Sequence, residues 1–304
     1  MSISPYRIVL SGGFGSVTIA SDRQAAEASS GLRVDWDSGG VAGWDSAPDA
    51  KVSSTERQAG DGAHDVSESD IEYESRVVTV NIAAFGETRD EVLAAMRRLQ
   101  AAHKQLVTMR VVDASSDTYC ERGYVVVKWD EGWHEQTATG TLTAIFVRPY
   151  RLSTLPSEGM MVPATGDGGG LVFDAVTSGS DTAHVLHWPL SFGAGAIRTG
   201  NFCTLTNSGT IPADVVITAA GYMPGGIAIT DTSTGRQLAF GQTVTWSGLT
   251  LDSRTRTASV AGVDVSRSLT SRDFPTVPAG GSVTLSLQAS GTGTLTATCH
   301  DTYI

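Results

Sequence analysis

Only one stretch of this chain repeats with a helical period, and that rarity limits what the remaining residues can build. Val92, Met96, Leu99, His103 and Leu106 recur at steps of four and three, which is one face of a helix of about four turns. Thr88-Arg89-Asp90-Glu91 precedes them as a capping box: the Thr oxygen takes a free backbone N–H while the Glu reaches back. No other segment shows this pattern. Before it, Val78, Val80, Ile82 and Ala84 alternate with Thr79, Asn81 and Ala83, and Gly86 breaks the run. That is the period of two of a strand. After it come three more strand-like runs, Val107 to Val112, Tyr124 to Trp129 and Thr137 to Val147. The order strand, helix, strand, strand, strand predicts an α+β domain over residues 1–153, with one helix covering one face of a sheet.

Residues 154–170 hold Pro156, Pro163 and then Gly166-Asp167-Gly168-Gly169-Gly170, a linker by composition. Residues 171–304 contain strand and turn signals alone. Val283, Leu285 and Leu287 alternate with Thr284, Ser286 and Gln288; Leu295, Ala297 and Cys299 alternate with Thr294, Thr296 and Thr298. Gly291-Thr292-Gly293 lies between the two runs and predicts a hairpin. Similar short runs begin near Leu171, His184, Phe202, Val215, Ile227, Arg236, Val244, Leu249 and Thr257. About ten strands at that spacing predict a β-sandwich of jelly-roll type. The fold class expected is therefore mainly β.

The balance of 21 Lys and Arg against 32 Asp and Glu gives a formal charge of −11. With no basic surplus to release counterions, binding to nucleic acid through its phosphates is disfavoured, and so is anchoring on anionic lipid. Cys120, Cys203 and Cys299 are odd in number, far apart and free of any CxxC spacing. They are expected to be reduced, buried thiols. Ile8-Val9-Leu10 is too short for a signal peptide, and no run reaches the ~18 apolar residues of a membrane helix. The chain is expected to be made and folded in a cytoplasm.

Catalytic and metal motifs fail one by one. His134-Glu135-Gln136-Thr137-Ala138 lacks the second His of a zinc protease motif. His184 and His187, three apart on a strand, would face opposite sides. Gly12-Gly13-Phe14-Gly15 has no Lys-Ser/Thr ending and reads as a hairpin turn. Asp61-Gly62-Ala63-His64-Asp65 reads as a polar turn, and no Gly-x-Ser-x-Gly elbow occurs. No catalytic residue, metal or cofactor is assigned. Trp36, Trp44, Trp129 and Trp133 suggest either a sugar-stacking platform or packing in a core or interface. Glu68, Asp70, Glu72 and Glu74 are two apart, with Ile71 and Tyr73 between. Extended, they form an acidic stripe that either solvates an edge or repels polyanions.

The succession resembles the distal tail protein of long-tailed phages (siphophages). In the N-terminal half the matching features are Gly39-Gly40, the Asp61-Gly62 loop, Arg76-Val77-Val78-Thr79-Val80, the helix from Thr88, and Phe146-Val147-Arg148-Pro149-Tyr150-Arg151. In the C-terminal half they are Asn207-Ser208-Gly209-Thr210-Ile211-Pro212-Ala213, Gly221, Thr234-Gly235-Arg236, Leu249 to Thr257, and Phe274 to Gly281. The resemblance implies a non-enzymatic virion protein at the tail tip that forms a homohexameric ring. The N-terminal ring-forming (belt) domains would surround a channel, and an outer galectin-like sandwich would contact the tail-tip hub and receptor-binding proteins. The ring would join the tail tube, and DNA would pass through it without being bound. Glu68, Asp70, Glu72 and Glu74 would then face the channel and repel phosphate. No block of extra residues suggests an inserted carbohydrate-binding module. The alternatives are another tail or baseplate component, or a stand-alone carbohydrate-binding sandwich.

Overall fold

The computed structural model describes residues 6–67, 70–130, 132–163, 175–178, 181–184 and 199–304. The chain divides into two compact units, Met1–Thr154 with Thr302–Ile304, and Leu155–Asp301.

In the first unit, β1 (Arg7–Gly12) and β2 (Gly15–Ala20) form a hairpin whose turn is Gly13-Phe14. A short helix, α1 (Arg23–Glu27), follows, with the Asp22 carboxylate accepting from the Ala25 N–H at its start. Next come β3 (Leu32–Val34), β4 (Val41–Ala42), β5 (Ala50–Lys51), β6 (Glu72–Tyr73) and β7 (Arg76–Phe85). The long helix α2 (Arg89–Gln100) leads into β8 (Val107–Asp113), β9 (Ser116–Trp129), β10 (Thr137–Phe146) and β11 (Arg151–Met161). β10 pairs with β7 on one side and β9 on the other. The path β7-β3-β2-β1-β8-β9 returns to β10, so seven strands close into a barrel. The sheet expected under one helix therefore closes on itself as a barrel. Residues 7–34 supply three strands that join its two edges, and closure leaves no edge to protect.

The capping box at α2 forms as the sequence predicts: the Glu91 N–H donates to Thr88 Oγ1, and the Thr88 N–H donates to Glu91 Oε2, both at 3.4 Å. Val92, Ala95 and Leu99 join the same core as Ile8, Leu10, Ile82, Leu142 and Phe146. The helix is shorter than its periodicity suggests. His103 lies beyond its end and accepts from the Val127 N–H through Nε2 at 3.1 Å. Lys104 turns the chain at φ 60°, and Leu106 is 59% exposed rather than packed.

The second unit contains β12 (Ala175–Ser178) paired with β13 (Asp181–His184), then β14 (Phe202–Asn207), β15 (Ala213–Tyr222) and β16 (Ile227–Asp231). β17 (Gln237–Phe240), β18 (Leu249–Asp252), β19 (Thr257–Val260), β20 (Val263–Asp264) and β21 (Leu269–Arg272) follow, then β22 (Thr276–Val277), β23 (Gly281–Gln288) and β24 (Thr292–Tyr303). One sheet runs β14-β23-β16-β17-β21; the other runs β24-β15-β18-β19-β20, with β22 on β15. Leu205, Ile229, Leu238 and Leu285 from the first meet Val215, Ile217, Leu249 and Leu295 from the second in one core. Alternation along each strand supplies these inward faces.

Two expectations change here. β23 and β24 do not form a hairpin: β23 pairs with β14 and β16, and β24 pairs with β15. The chain instead crosses between sheets at Gly291, whose φ of 109° suits glycine. Residues 154–161 of the proposed linker lie within β11, while its Gly-rich part from 164 to 170, together with Leu171 and His187, lies outside the described residues. Asn207 shows why its turn motif reads as it does. It is 1% exposed, its Nδ2 donates to the Ile211 carbonyl at 2.8 Å, and its Oδ1 accepts from the Gly209 N–H at 2.9 Å.

Candidate functional site

Arg76 opens β7 and shares the parity of Val78, Val80 and Ile82, so its side chain points into the barrel core. It is 1% exposed. Among the described residues, its acceptors are backbone carbonyls. Nε donates to Pro149 at 2.6 Å, and one terminal nitrogen donates to Gly43, Trp44 and Ser46 at 2.8, 2.7 and 2.8 Å. Burial lowers its pKa from the usual guanidinium value, and the neighbouring Arg151 adds to this. Gly43 fits this knot because a side chain there would collide with the Val77 carbonyl, 2.0 Å from an ideal Cβ, and its φ is 85°. Arg151 pairs with Asp45 at 2.6 Å and lies over the Trp44 ring. A cationic residue at a core-facing position of an alternating run was a visible signal, but its partners lie some thirty to seventy residues away.

This knot roots an arm. Residues 49–74 leave the barrel and return, folding back on themselves as a hairpin. Lys51 pairs with Glu72, the His64 N–H donates to the Thr55 carbonyl at 3.0 Å, and the Glu74 N–H donates to the Asp49 carbonyl at 2.8 Å. Among its described residues none is buried, and Val52, Val66 and Ile71 are 38%, 40% and 44% exposed. Eight Asp and Glu against two Lys and Arg give the arm a net charge of −6. A second exposed feature lies on the outer wall of the barrel. Ile145 is opposite Val77 on one side and Tyr124 on the other, and Val126 is opposite Thr143. Val77, Tyr124 and Val126 are between 41% and 49% exposed.

No protein-family model matches the sequence, and no curated protein matches it. Solved structures do. The SPP1 Dit (gp 19.1) protein, described as a paradigm of the hub adsorption apparatus in phages infecting Gram-positive bacteria, matches with a TM-score of 0.59 at 12% identity. The match covers 98% of this chain and 99% of that one. A chain of the phage P2 baseplate in its activated conformation with Ca gives 0.56 at 8% identity, over 98% of each chain. Its counterpart with Sr gives 0.52 at 9% identity, over 97% of this chain and 98% of that one. The fold is shared with phage hub and baseplate proteins. The likeness runs through both units.

The acidic stripe lies on the returning limb of the arm. Asp70, Glu72 and Glu74 are exposed, and Glu68 lies outside the described residues. The segment is not one continuous strand: β6 holds only Glu72 and Tyr73, and the Asp70 N–H donates to the Ser67 carbonyl in a turn. The four tryptophans considered as a platform are divided. Trp44 is buried and Trp129 packs on the barrel core, while Trp133 is 70% exposed and Trp36 packs edge-on against Tyr6. Asp61 to Asp65 form the tip of the arm, where Gly62 adopts φ 78°. A cleft of about 270 Å³ lies beside Ser16, Thr18, Ser30 and Arg98; Arg98 is already engaged there with the Ser30 carbonyl. Cys120, Cys203 and Cys299 are unpaired and buried. Burial pushes their thiols up to about 12, 11 and 11, which leaves them protonated at neutral pH.

Proposed function

We propose that this chain is a structural protein of a long-tailed phage, forming a homohexameric ring at the tail tip between the tail tube and the hub and receptor-binding proteins. The observation that carries self-assembly is the arm. An isolated two-stranded hairpin is marginal in water, and ordering each residue costs about 1–2 kcal/mol. Among the described residues of 49–74 none is buried against that cost. Contact with a neighbouring copy, whose barrel offers the apolar strip around Val77, Ile145 and Tyr124, supplies what the protomer lacks. Arm on barrel is a heterologous contact, the kind that repeats around a ring. The likeness to SPP1 Dit and the phage P2 baseplate across nearly the whole chain supports the same reading.

In this reading residues 1–153 form the ring and surround a channel. Residues 171–304 form an outer galectin-like sandwich that meets the receptor-binding apparatus. Glu68, Asp70, Glu72 and Glu74 face the channel, where carboxylates repel DNA phosphates and let the genome pass unbound. The chain performs no catalysis, needs no cofactor, and is made in the host cytoplasm. Light scattering and negative-stain electron microscopy of the purified chain test the proposal. A species of hexameric mass built from 31.7 kDa protomers, with an open centre, is expected. A protomer mass at every concentration, with no ring in the images, overturns it.

A further inference from the structure

Three loops meet at one end of the second unit's sandwich: residues 223–226 after β15, 241–248 after β17, and 289–291 after β23. They are tied to one another. Met223 and Val244 exchange both backbone hydrogen bonds, at 3.0 and 3.1 Å, and Thr243 Oγ1 donates to the Pro224 carbonyl at 3.1 Å. Met223 is fully buried beneath them. Gly291 approaches so closely that a side chain there would strike the Tyr222 carbonyl, 2.2 Å from an ideal Cβ.

On this tip two aromatic rings remain in solvent: Trp246 is 74% exposed and Tyr222 is 55% exposed. Pairing places them on facing segments. Tyr222 lies between Ala219, paired with Leu249, and Met223, bridged to Val244; Trp246 lies between Val244 and Leu249 on the facing segment. The three loops and the adjoining strand ends hold no charged side chain; Arg267 is next in sequence to Ser268, whose carbonyl accepts from the Gly241 N–H at 3.1 Å. Residues 215–230, 237–251 and 274–299 include no Asp, Glu, Lys, Arg or His, in a chain whose net charge is −11. The polar groups offered by the loops and the adjoining start of β24 are neutral: Gln242, Thr243, Thr245, Ser247, Ser290 and Thr292.

We infer that this tip binds an uncharged saccharide, with Trp246 and Tyr222 as its stacking rings. A pyranose carries C–H groups on one face and hydroxyls around its rim. The first stack on an aromatic ring, and the second exchange hydrogen bonds with Ser, Thr and Gln side chains, which both donate and accept. An anionic polymer would require Lys or Arg, and none is present in these segments. A protein partner needs about 800 Å² per side for a stable interface, whereas the two rings together offer roughly 300 Å². Loops already tied by hydrogen bonds have less freedom to lose on binding, so a small footprint suffices. The site belongs to a single protomer and is independent of ring formation.

The test presents the full chain, wild type and variants, to an array of neutral hexose and N-acetylhexosamine oligomers beside sialylated and phosphorylated ones. The wild type is expected to retain a neutral oligomer. Trp246→Ala is expected to weaken that binding roughly tenfold or more, and Tyr222→Ala several-fold. Both rings are exposed, so the thermal midpoint should not move, and that measurement excludes misfolding. Titration of the retained oligomer should change the intrinsic fluorescence of the wild type and not of Trp246→Phe. A blank array, retention of anionic glycans alone, or equal retention by Trp246→Ala overturns the inference. It is also overturned if Trp246→Ala instead loses a neighbouring tail protein while the array stays blank.

Discussion

The barrel and the arm that leaves it use similar local patterns to opposite ends. In β7, Val78, Val80, Ile82 and Ala84 alternate with outward residues, and all four are fully buried. In the arm, Ile71 and Tyr73 alternate with carboxylates, yet Ile71 is 44% exposed and Tyr73 only half-buried. Charge separates the two regions as well. Outside the arm, residues 1–152 carry 14 acidic and 13 basic residues, a net of −1, against −6 in the arm alone. Alternation therefore reports that a segment is extended, and it does not report that one face is covered. The barrel closes its hydrogen bonds and its core within the chain. The arm pairs its backbone on itself at a few points, and among its described residues none is buried.

The sharpest way to break this comparison is to remove the arm. Asp49 and Glu74 are already joined by a backbone hydrogen bond of 2.8 Å, so residues 50–73 can be replaced by a Gly-Gly turn. The barrel should stay folded, with circular dichroism retained, and the proposed hexameric mass should be absent from light scattering. Loss of the barrel together with the arm would show that the two are not separable. Next in size is a paired substitution read by urea unfolding of the protomer. Leu142→Ala empties a fully buried site in the barrel and should cost about 2–5 kcal/mol. Ile71→Ala in the arm should stay within about 0.5 kcal/mol. Equal losses would mean that the arm packs on its own barrel.

Arg76 joins the two regions and should lie between those extremes. Arg76→Met leaves the carbonyls of Gly43, Trp44, Ser46 and Pro149 without their shared donor. The cost expected is about 3 kcal/mol, since each buried acceptor left unsatisfied is unfavourable by about 1–3 kcal/mol and removal of a buried cation offsets part of the sum. Limited proteolysis should then cut first near residues 43–50. Unchanged stability would show that the knot is a consequence of the arm's position and does not hold it.

What the sequence made legible was local. The α2 capping box, the alternation of β7 and the inward face of β23 depend on residues within a turn or two of each other. Barrel closure was not legible, because it depends on a three-residue strand, β3, and on β1 pairing with β8 about a hundred residues later. The crossing at Gly291 had the same turn composition as a hairpin; only the pairing of β24 with β15 distinguishes them. The acidic residues of the candidate site could be read as a stripe, but the returning limb of the arm is interrupted by the turn at Asp70. Trp246 and Tyr222 are 24 residues apart in the sequence, and cross-strand register alone places them on facing segments.

The smallest effect separates the regions by pH. Arg110 Nε and Thr154 Oγ1 both donate to Asp117 Oδ1, each at 2.7 Å, on the barrel. The bond from Arg110 holds the Asp117 carboxyl below its usual range, against the opposing pull of burial, with Thr154 adding to it. A carboxylate depressed in the folded state stabilises above the ordinary carboxylate pKa, and that stability is lost as pH falls through the depressed value. Asp117→Asn should therefore lower the urea midpoint at pH 6, and the difference from wild type should shrink to nothing in strong acid. The side chains of both partners are more than a third exposed, so screening keeps the effect below about 1 kcal/mol. The arm has an ion pair of its own, Arg57 with Asp65 at 3.4 Å, but the Asp65 side chain is 99% exposed. Asp65→Asn should leave the protomer's midpoint unchanged at pH 6. If the two substitutions behaved alike, the arm's charges would be as engaged within the protomer as those of the barrel, and the division between a self-sufficient barrel and an unfinished arm would fail.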